Sequence, residues 1–276
     1  MFLSEHHIAI AKVHENDISL LVVDLRSSSG DPTDLNDVEF ECEFLFPILS
    51  AGYRVWDVIF RSDPAPGWTP SPTLRVPFHV SRKDRLFIIT VTARNRDRFR
   101  AYTVFFPTST LLRAMDTYAG VVEWDQWGPT GTRLISPTFP VSQNWVCYVY
   151  GLRYAVFVPG FPENRGTDKL YIFDFNQLAI RKAKQELEGG EGGDGTWALM
   201  MEPSINRHDN YSLFDETVET TLPLRYMVLE LEHDTPSHTT AAMISEDAVV
   251  LVGDVSAFCG DRMEEGGAAE FHIIDR

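Results

Sequence analysis

The chain has 276 residues, with 40 Asp and Glu against 24 Lys and Arg, for a formal net charge of -16. Hydrophobic residues make up 44% and aromatic residues 12%, a globular balance that excludes generic disorder. The negative excess sets the chain against nonspecific nucleic-acid binding and against anionic membrane surfaces, since both draw on Lys and Arg; neither partner is expected.

The opening residues, MFLSEHHIAIAKVHENDISLL, lack a basic segment followed by an apolar run, so they are not read as a secretory signal. No stretch approaches the ~18 apolar residues of a membrane helix. Cys42, Cys147 and Cys259 lie far apart and form no CxxC pair, which suggests a reducing compartment. Cytoplasm or nucleus is therefore the expected location. The Asn210-Tyr211-Ser212 sequon then reads as accidental.

In chain order the pattern predicts strand after strand. Residues 18–25 are a mostly apolar run. Residues 38–46 alternate strictly: Val38, Phe40, Cys42 and Phe44 face one way, and Glu39, Glu41 and Glu43 the other. Residues 53–60 are aromatic and β-branched, as strands prefer. The Pro-rich stretch 62–73 reads as a surface loop.

Residues 81–107 form a clearer unit: a strand over 86–92, a charged turn over 94–98, then a strand over 99–106. Residues 150–175 have the same shape. Residues 243–255 with the terminal EFHIIDR make a third copy, and HENDISLLVVDL near the start part of a fourth. The copies recur at about 70 to 80 residues, with further strands between them at 121–124 and 223–232. An all-β fold follows. Its expected form is a propeller-like array of four-stranded antiparallel units, in a partial or complete ring, with a β-sandwich as the alternative. Residues 177–187 read as a helix. The Gly/Glu-rich run 188–195 after it reads as a solvated linker. Together they make an insertion around 177–195 in a single domain over 1–276.

Chemistry-bearing motifs are scarce. GGDGTW (192–197) resembles the Asp-box turn of sialidase-type propellers, but Gly192 stands where that turn needs Ser or Thr. Asp31, Asp34, Asp37 and Glu39 lack EF-hand spacing and read as a solvated acidic loop. Glu230, Glu232 and Asp234 alternate along one strand face and read as solvent-facing. His6-His7, His208-Asp209, and His233 with His238 are the His/carboxylate groupings; none has zinc-site spacing. There is no GxxxxGK[ST], GxGxxG or GxSxG. No metal, no cofactor and no enzyme activity are expected.

The most distinctive segment is EWDQWGPTGTR, residues 123–133, with Trp124 and Trp127 spaced i, i+3 ahead of Gly-Pro. Trp and Arg are frequent binding hot spots and are as often structural anchors. Trp124, Trp127 and Arg133 are the candidate partner-binding loop. Trp68, in the Pro-rich loop 63–72, is the second candidate.

VVEWDQWGPTGTR (121–133) resembles a recurring stretch in F-box proteins of mushroom-forming fungi. VCYVYGLRYAVF (146–157), LYIFDFN (170–176), TTLPLRY (220–226) and AMISEDAVVLV (242–252) with FHIIDR do so as well, in the same order, from about residue 81 to the C-terminus. The resemblance implies a propeller-type repeat region that captures a target protein. In such proteins an N-terminal F-box docks on the Skp1 adaptor of a ubiquitin ligase. No LPxE-type helical segment precedes the strands here, so Skp1 docking is not expected of this chain. The expected role is a non-catalytic interaction module for an unknown target protein, one with a basic surface to suit the acidic charge. The rivals are a propeller-scaffold enzyme of glycosidase or lactonase type and a carbohydrate-binding lectin.

Overall fold

The computed structural model describes residues 1–26, 39–66, 84–96, 98–136, 148–160, 167–189, 196–208, 212–231, 239–245, 248–254 and 269–275. Its elements are mostly strand, at 52%, with three short helices among the described residues. The expected all-β class holds in that sense. The strands make several small, largely antiparallel sheets, none of them closed.

The first elements are β1 (His7–His14), β2 (Asp17–Asp24), β3 (Cys42–Leu45), β4 (Arg54–Arg61), β5 (Leu86–Asn95) and β6 (Arg98–Pro107). Next come α1 (Thr108–Met115), β7 (Gly120–Val122), α2 (Trp124–Gly131), β8 (Arg133–Ile135), β9 (Val149–Tyr150), β10 (Arg153–Val158), β11 (Lys169–Asp174) and α3 (Gln177–Glu188). The last are β12 (Ala198–Met200), β13 (Ser204–Asn206), β14 (Val218–Thr220), β15 (Leu224–Glu230), β16 (Thr239–Ile244), β17 (Ala248–Asp254) and β18 (Ala269–Asp275).

The strand pairs anticipated from three similar stretches form as antiparallel neighbours, β5–β6, β10–β11 and β17–β18; the strand over HENDISLLVVDL forms as β2 and pairs with β1, a strand the sequence reading did not name. Where one domain was expected, the chain groups into two compact units, each drawn from separate stretches. The first comprises Met1–Thr69, Ser81–Thr138 and Met201–Leu222; the second comprises Pro70–Val80, Phe139–Met200 and Pro223–Arg276.

The first unit holds two four-stranded sheets, ordered β1-β2-β3-β7 and β4-β5-β6-β8, and the β13-β14 pair. Neither four-stranded sheet is made of consecutive strands. β7 joins β3 in parallel and β8 joins β6 antiparallel, one on each side of α2. The helix between them therefore links the last strands of both sheets. The core of this unit collects alternate residues from each strand: Leu20 and Val22 from β2, Cys42 and Phe44 from β3, Phe87, Ile89, Val91 and Ala93 from β5. That is the period-two rule acting in space. The alternation expected over 38–46 survives at Cys42 and Phe44, with Glu43 facing away to accept the Ser19 hydroxyl at 2.7 Å. Phe40 lies ahead of the shortened strand and is exposed, and Val38 lies outside the described residues.

The second unit holds a five-stranded sheet, β12-β15-β11-β10-β9, and a three-stranded one, β16-β17-β18. Asp174 at the end of β11 is buried and takes two bonds from Arg225 of β15, at 2.7 and 2.9 Å. The Arg225 guanidinium also lies 4.3 Å from the Trp197 ring centroid. α3 begins at the expected residue because the Asn176 side chain accepts from the Leu178 and Ala179 amides. α1 and α2 were not anticipated. Each has only eight residues, too short to show a helical period, and the Gly and Pro of α2 read as turn signals in sequence.

Candidate functional site

The segment expected to be a binding loop is helix α2, and its aromatic side chains are in the core. Gln126 accepts the Glu123 amide at 2.9 Å and so closes the first turn. Trp124 and Trp127 retain 8% and 3% of their exposure. The Trp127 ring lies edge-on to Phe44, Phe46 and Phe106 at 5.5, 5.3 and 5.7 Å between centroids. Its indole N–H donates to the Leu45 carbonyl at 3.0 Å. Large area and one polar anchor favour an indole for this internal position. An i, i+3 spacing places two residues on one helix face, and here that face is the inner one.

Arg133 is fully buried. Its Nε donates to Leu222 O at 2.8 Å, and a terminal nitrogen donates to Glu202 O and Ser204 Oγ at 2.7 and 3.0 Å. Burial lowers its pKa. Nearby, the Thr221 amide donates to Pro129 O and the Leu222 amide to Thr132 O. The 123–133 stretch and the start of TTLPLRY therefore brace one another. Two of the motifs that carry the family resemblance are thus partners in the core. The binding candidates Trp124, Trp127 and Arg133 are corrected in placement, because their donors and rings are engaged within the first unit. Trp68 lies outside the described residues.

The remaining sequence candidates disperse. Glu230 ends β15, opposite Lys169, with 3.5 Å between their charged groups; Glu232 and Asp234 lie outside the described residues, as do His233, His238 and Asp209. His208 faces the Phe214 carbonyl. His7 gathers with Asp24 and Glu41, their ligand-type atoms within 4.8 Å of one another. His7 Nε2 is 3.1 Å from Glu41, and Arg26 holds both Asp24 oxygens. Arg26 keeps the Asp24 carboxyl below its usual range. The Arg26 charge occupies the carboxylate that a cation would need, so the cluster is an ion-pair network tying β1, β2 and the approach to β3.

A different surface emerges on β4, β5 and β6. Sequence reasoning passed over it as a charged turn. On the face turned away from the core, Arg94 sits between Trp56 and Phe99, its guanidinium carbon 5.0 and 5.5 Å from their ring centroids. The two rings are 5.8 Å apart and nearly perpendicular. Both are exposed, at 61% and 53%. The strand register brings the set together: Arg54 stands opposite Arg94, which stands opposite Phe99. Trp56 is added by a register shift between Val55 and Asp57, the usual way a bulge re-aims a side chain. Arg94 Nε donates to Arg96 O at 2.6 Å, which fixes the plane of the guanidinium.

Arg54 and Arg96 are exposed beside this cluster, and Arg98 and Arg100 are exposed on the opposite face of β6, either side of Phe99. Among the described residues none of these five arginines forms an ion pair. Asp57 is the acid on the same face. In a chain of net charge -16, this corner has the opposite sign. The sequence signal that could have found it is RNRDRFR, residues 94–100, with four arginines in seven positions.

Among the described residues no helix is long and apolar enough to cross a membrane. Compared with protein-family models, curated proteins and solved structures, the chain has no match.

Proposed function

We propose that the chain is a non-catalytic protein-binding module, the target-capturing part of an F-box-type ubiquitin-ligase substrate receptor, with its sheets stacked in propeller-like fashion. The three strand pairs at the similar stretches and the ordered fungal F-box-like motifs support that reading. Skp1 docking is not assigned to these sheets.

The observation that carries the binding role is Arg94 between Trp56 and Phe99. Trp, Arg and aromatic rings dominate interface hot spots. An arginine already stacked on two rings loses little freedom on contact, so more of its interaction energy appears as affinity. The contact surface thus moves from the 123–133 stretch, whose rings are buried, to the exposed face of β4–β6.

The test is affinity capture with the immobilised full chain from cells of its source. The Trp56→Ala/Arg94→Glu double variant should lose specific partners that the wild type retains. Identical recovery by both proteins would overturn this assignment of the contact face. Turnover of a glycoside or lactone substrate by the purified chain would overturn the non-catalytic role.

A further inference from the structure

We propose that the β4–β6 face takes a short acidic segment of a partner protein, bound in extended form, with carboxylates at Arg54 and Arg94. Side-chain methylenes of the segment would lie against Trp56 and Phe99. This inference rests on the binding role just described and adds the chemistry of the ligand, which is the reverse of the basic target suggested by the net charge. Local potential decides the matter, because at physiological salt charges beyond ~8 Å are largely screened.

Three features point to an anion. First, Arg54 and Arg94 are directly opposite on neighbouring antiparallel strands. Like charges so placed repel. No carboxylate among the described residues pairs with either of them, whereas a bound one would convert the repulsion into attraction. Second, Arg96 is held at φ 52, a left-handed backbone in which glycine or asparagine is usual. An arginine there keeps charge at the hairpin tip at a conformational cost. Third, Arg94 Nε is already engaged by Arg96 O, leaving the terminal guanidinium nitrogens for a planar acceptor. Carboxylates match that fork in two-point geometry.

The dimensions favour a peptide over a nucleic acid. Three neighbouring strands span only ~10 Å, room for a few carboxylates. A long polyanion would run beyond the face onto a chain whose net charge is -16. The two rings add apolar contact for aliphatic stems, which favours glutamate over aspartate.

Fluorescence anisotropy with labelled decaglutamate and the full chain tests this. Binding is expected, weakening as salt rises and falling by about tenfold or more in Arg54→Ala/Arg94→Ala. Arg94→Lys, which keeps charge and removes the stacked plane, should fall between wild type and the double variant. Circular dichroism of each variant must match wild type. If the double variant misfolds, Arg54→Gln, altering one exposed side chain at the proposed contact, should still weaken the probe. Absence of decaglutamate binding at low salt would overturn the proposal, as would binding unchanged by these substitutions. Tighter binding of oligothymidylate of equal length would overturn it in favour of a nucleic-acid face. Partner capture that depends on Trp56 without decaglutamate binding would sink the acidic-segment inference alone. Decaglutamate binding without any specific cellular partner would sink the receptor reading alone.

Discussion

The indole N–H of Trp127 donates to the main-chain carbonyl of Leu45, 3.0 Å away. The bond joins α2 to the end of β3 across 82 residues of sequence. It places one of the helix's two indoles among Phe44, Phe46 and Phe106. The consequence for stability is direct. Trp127→Ala should cost about 3–5 kcal/mol, the range for emptying an aromatic core site. Trp127→Phe should cost less, since it keeps a ring and leaves the Leu45 carbonyl unpaired, about 1–3 kcal/mol. Urea denaturation followed by circular dichroism would rank the two. Equal stability of Trp127→Ala and wild type would mean that α2 does not pack as described.

Gly128 offers a sharper test of the same contact. In an ordinary helix, Gly→Ala gains about 1 kcal/mol. Here a Cβ at residue 128 would run into the Trp124 ring, whose atoms are themselves packed. Displacing that ring should reverse the sign, so that Gly128→Ala loses about 1–3 kcal/mol as overpacking does. Thermal unfolding would show a lowered Tm. An increase would place the Trp124 ring elsewhere.

Tyr102 gives a pH dependence. Its ring is fully buried, edge-on to Phe214, and its hydroxyl has no hydrogen-bond partner among the described residues. Burial pushes the phenol far above its usual pKa. The unfolded chain would ionise near pH ~10 while the folded chain holds the proton. Stability from this group is therefore full below that pH and falls as pH rises above it. Tyr102→Phe removes both the unpaired hydroxyl and the ionisation. It should be neutral to about 1 kcal/mol stabilising near pH ~7. It should also flatten the alkaline loss of stability, as read from urea midpoints across an alkaline pH series.

Arg54 and Arg94 separate binding from folding. Arg54→Glu replaces a like-charge pair across β4 and β5 with an opposite-charge pair. It should raise stability by about 0.2–1 kcal/mol at low salt and lose that gain at high salt. The same substitution should abolish binding of an acidic peptide. Greater stability with lost binding is the pattern of a surface kept for function. A destabilised Arg54→Glu protein would show that the two arginines are not neighbours.

The amino-acid sequence by itself determined many of the strands, though not β1, β8 or β12–β14. Alternation over 38–46, the β-branched run 86–92 and the hairpin turns around residue 96 are local properties, because neighbouring backbone and side-chain sterics set a period of two. The α3 start was legible for a related reason: an Asn cap acts on amides two and three residues away. Tertiary structure decided what long-range pairing controls. β7 pairs with β3 about 80 residues earlier and β8 with β6 about 30 residues earlier, and no local pattern encodes that choice. The same holds for the aromatic residues. EWDQWGPTGTR and the Trp56/Phe99 pair have similar composition, and burial depends on which face meets the core. Trp127 turned inward because α2 lies against β3, and Trp56 outward because a bulge in β4 re-aimed it. RNRDRFR announced its charge in one dimension, but only the register of β4, β5 and β6 set Arg54 against Arg94 and closed two rings around it.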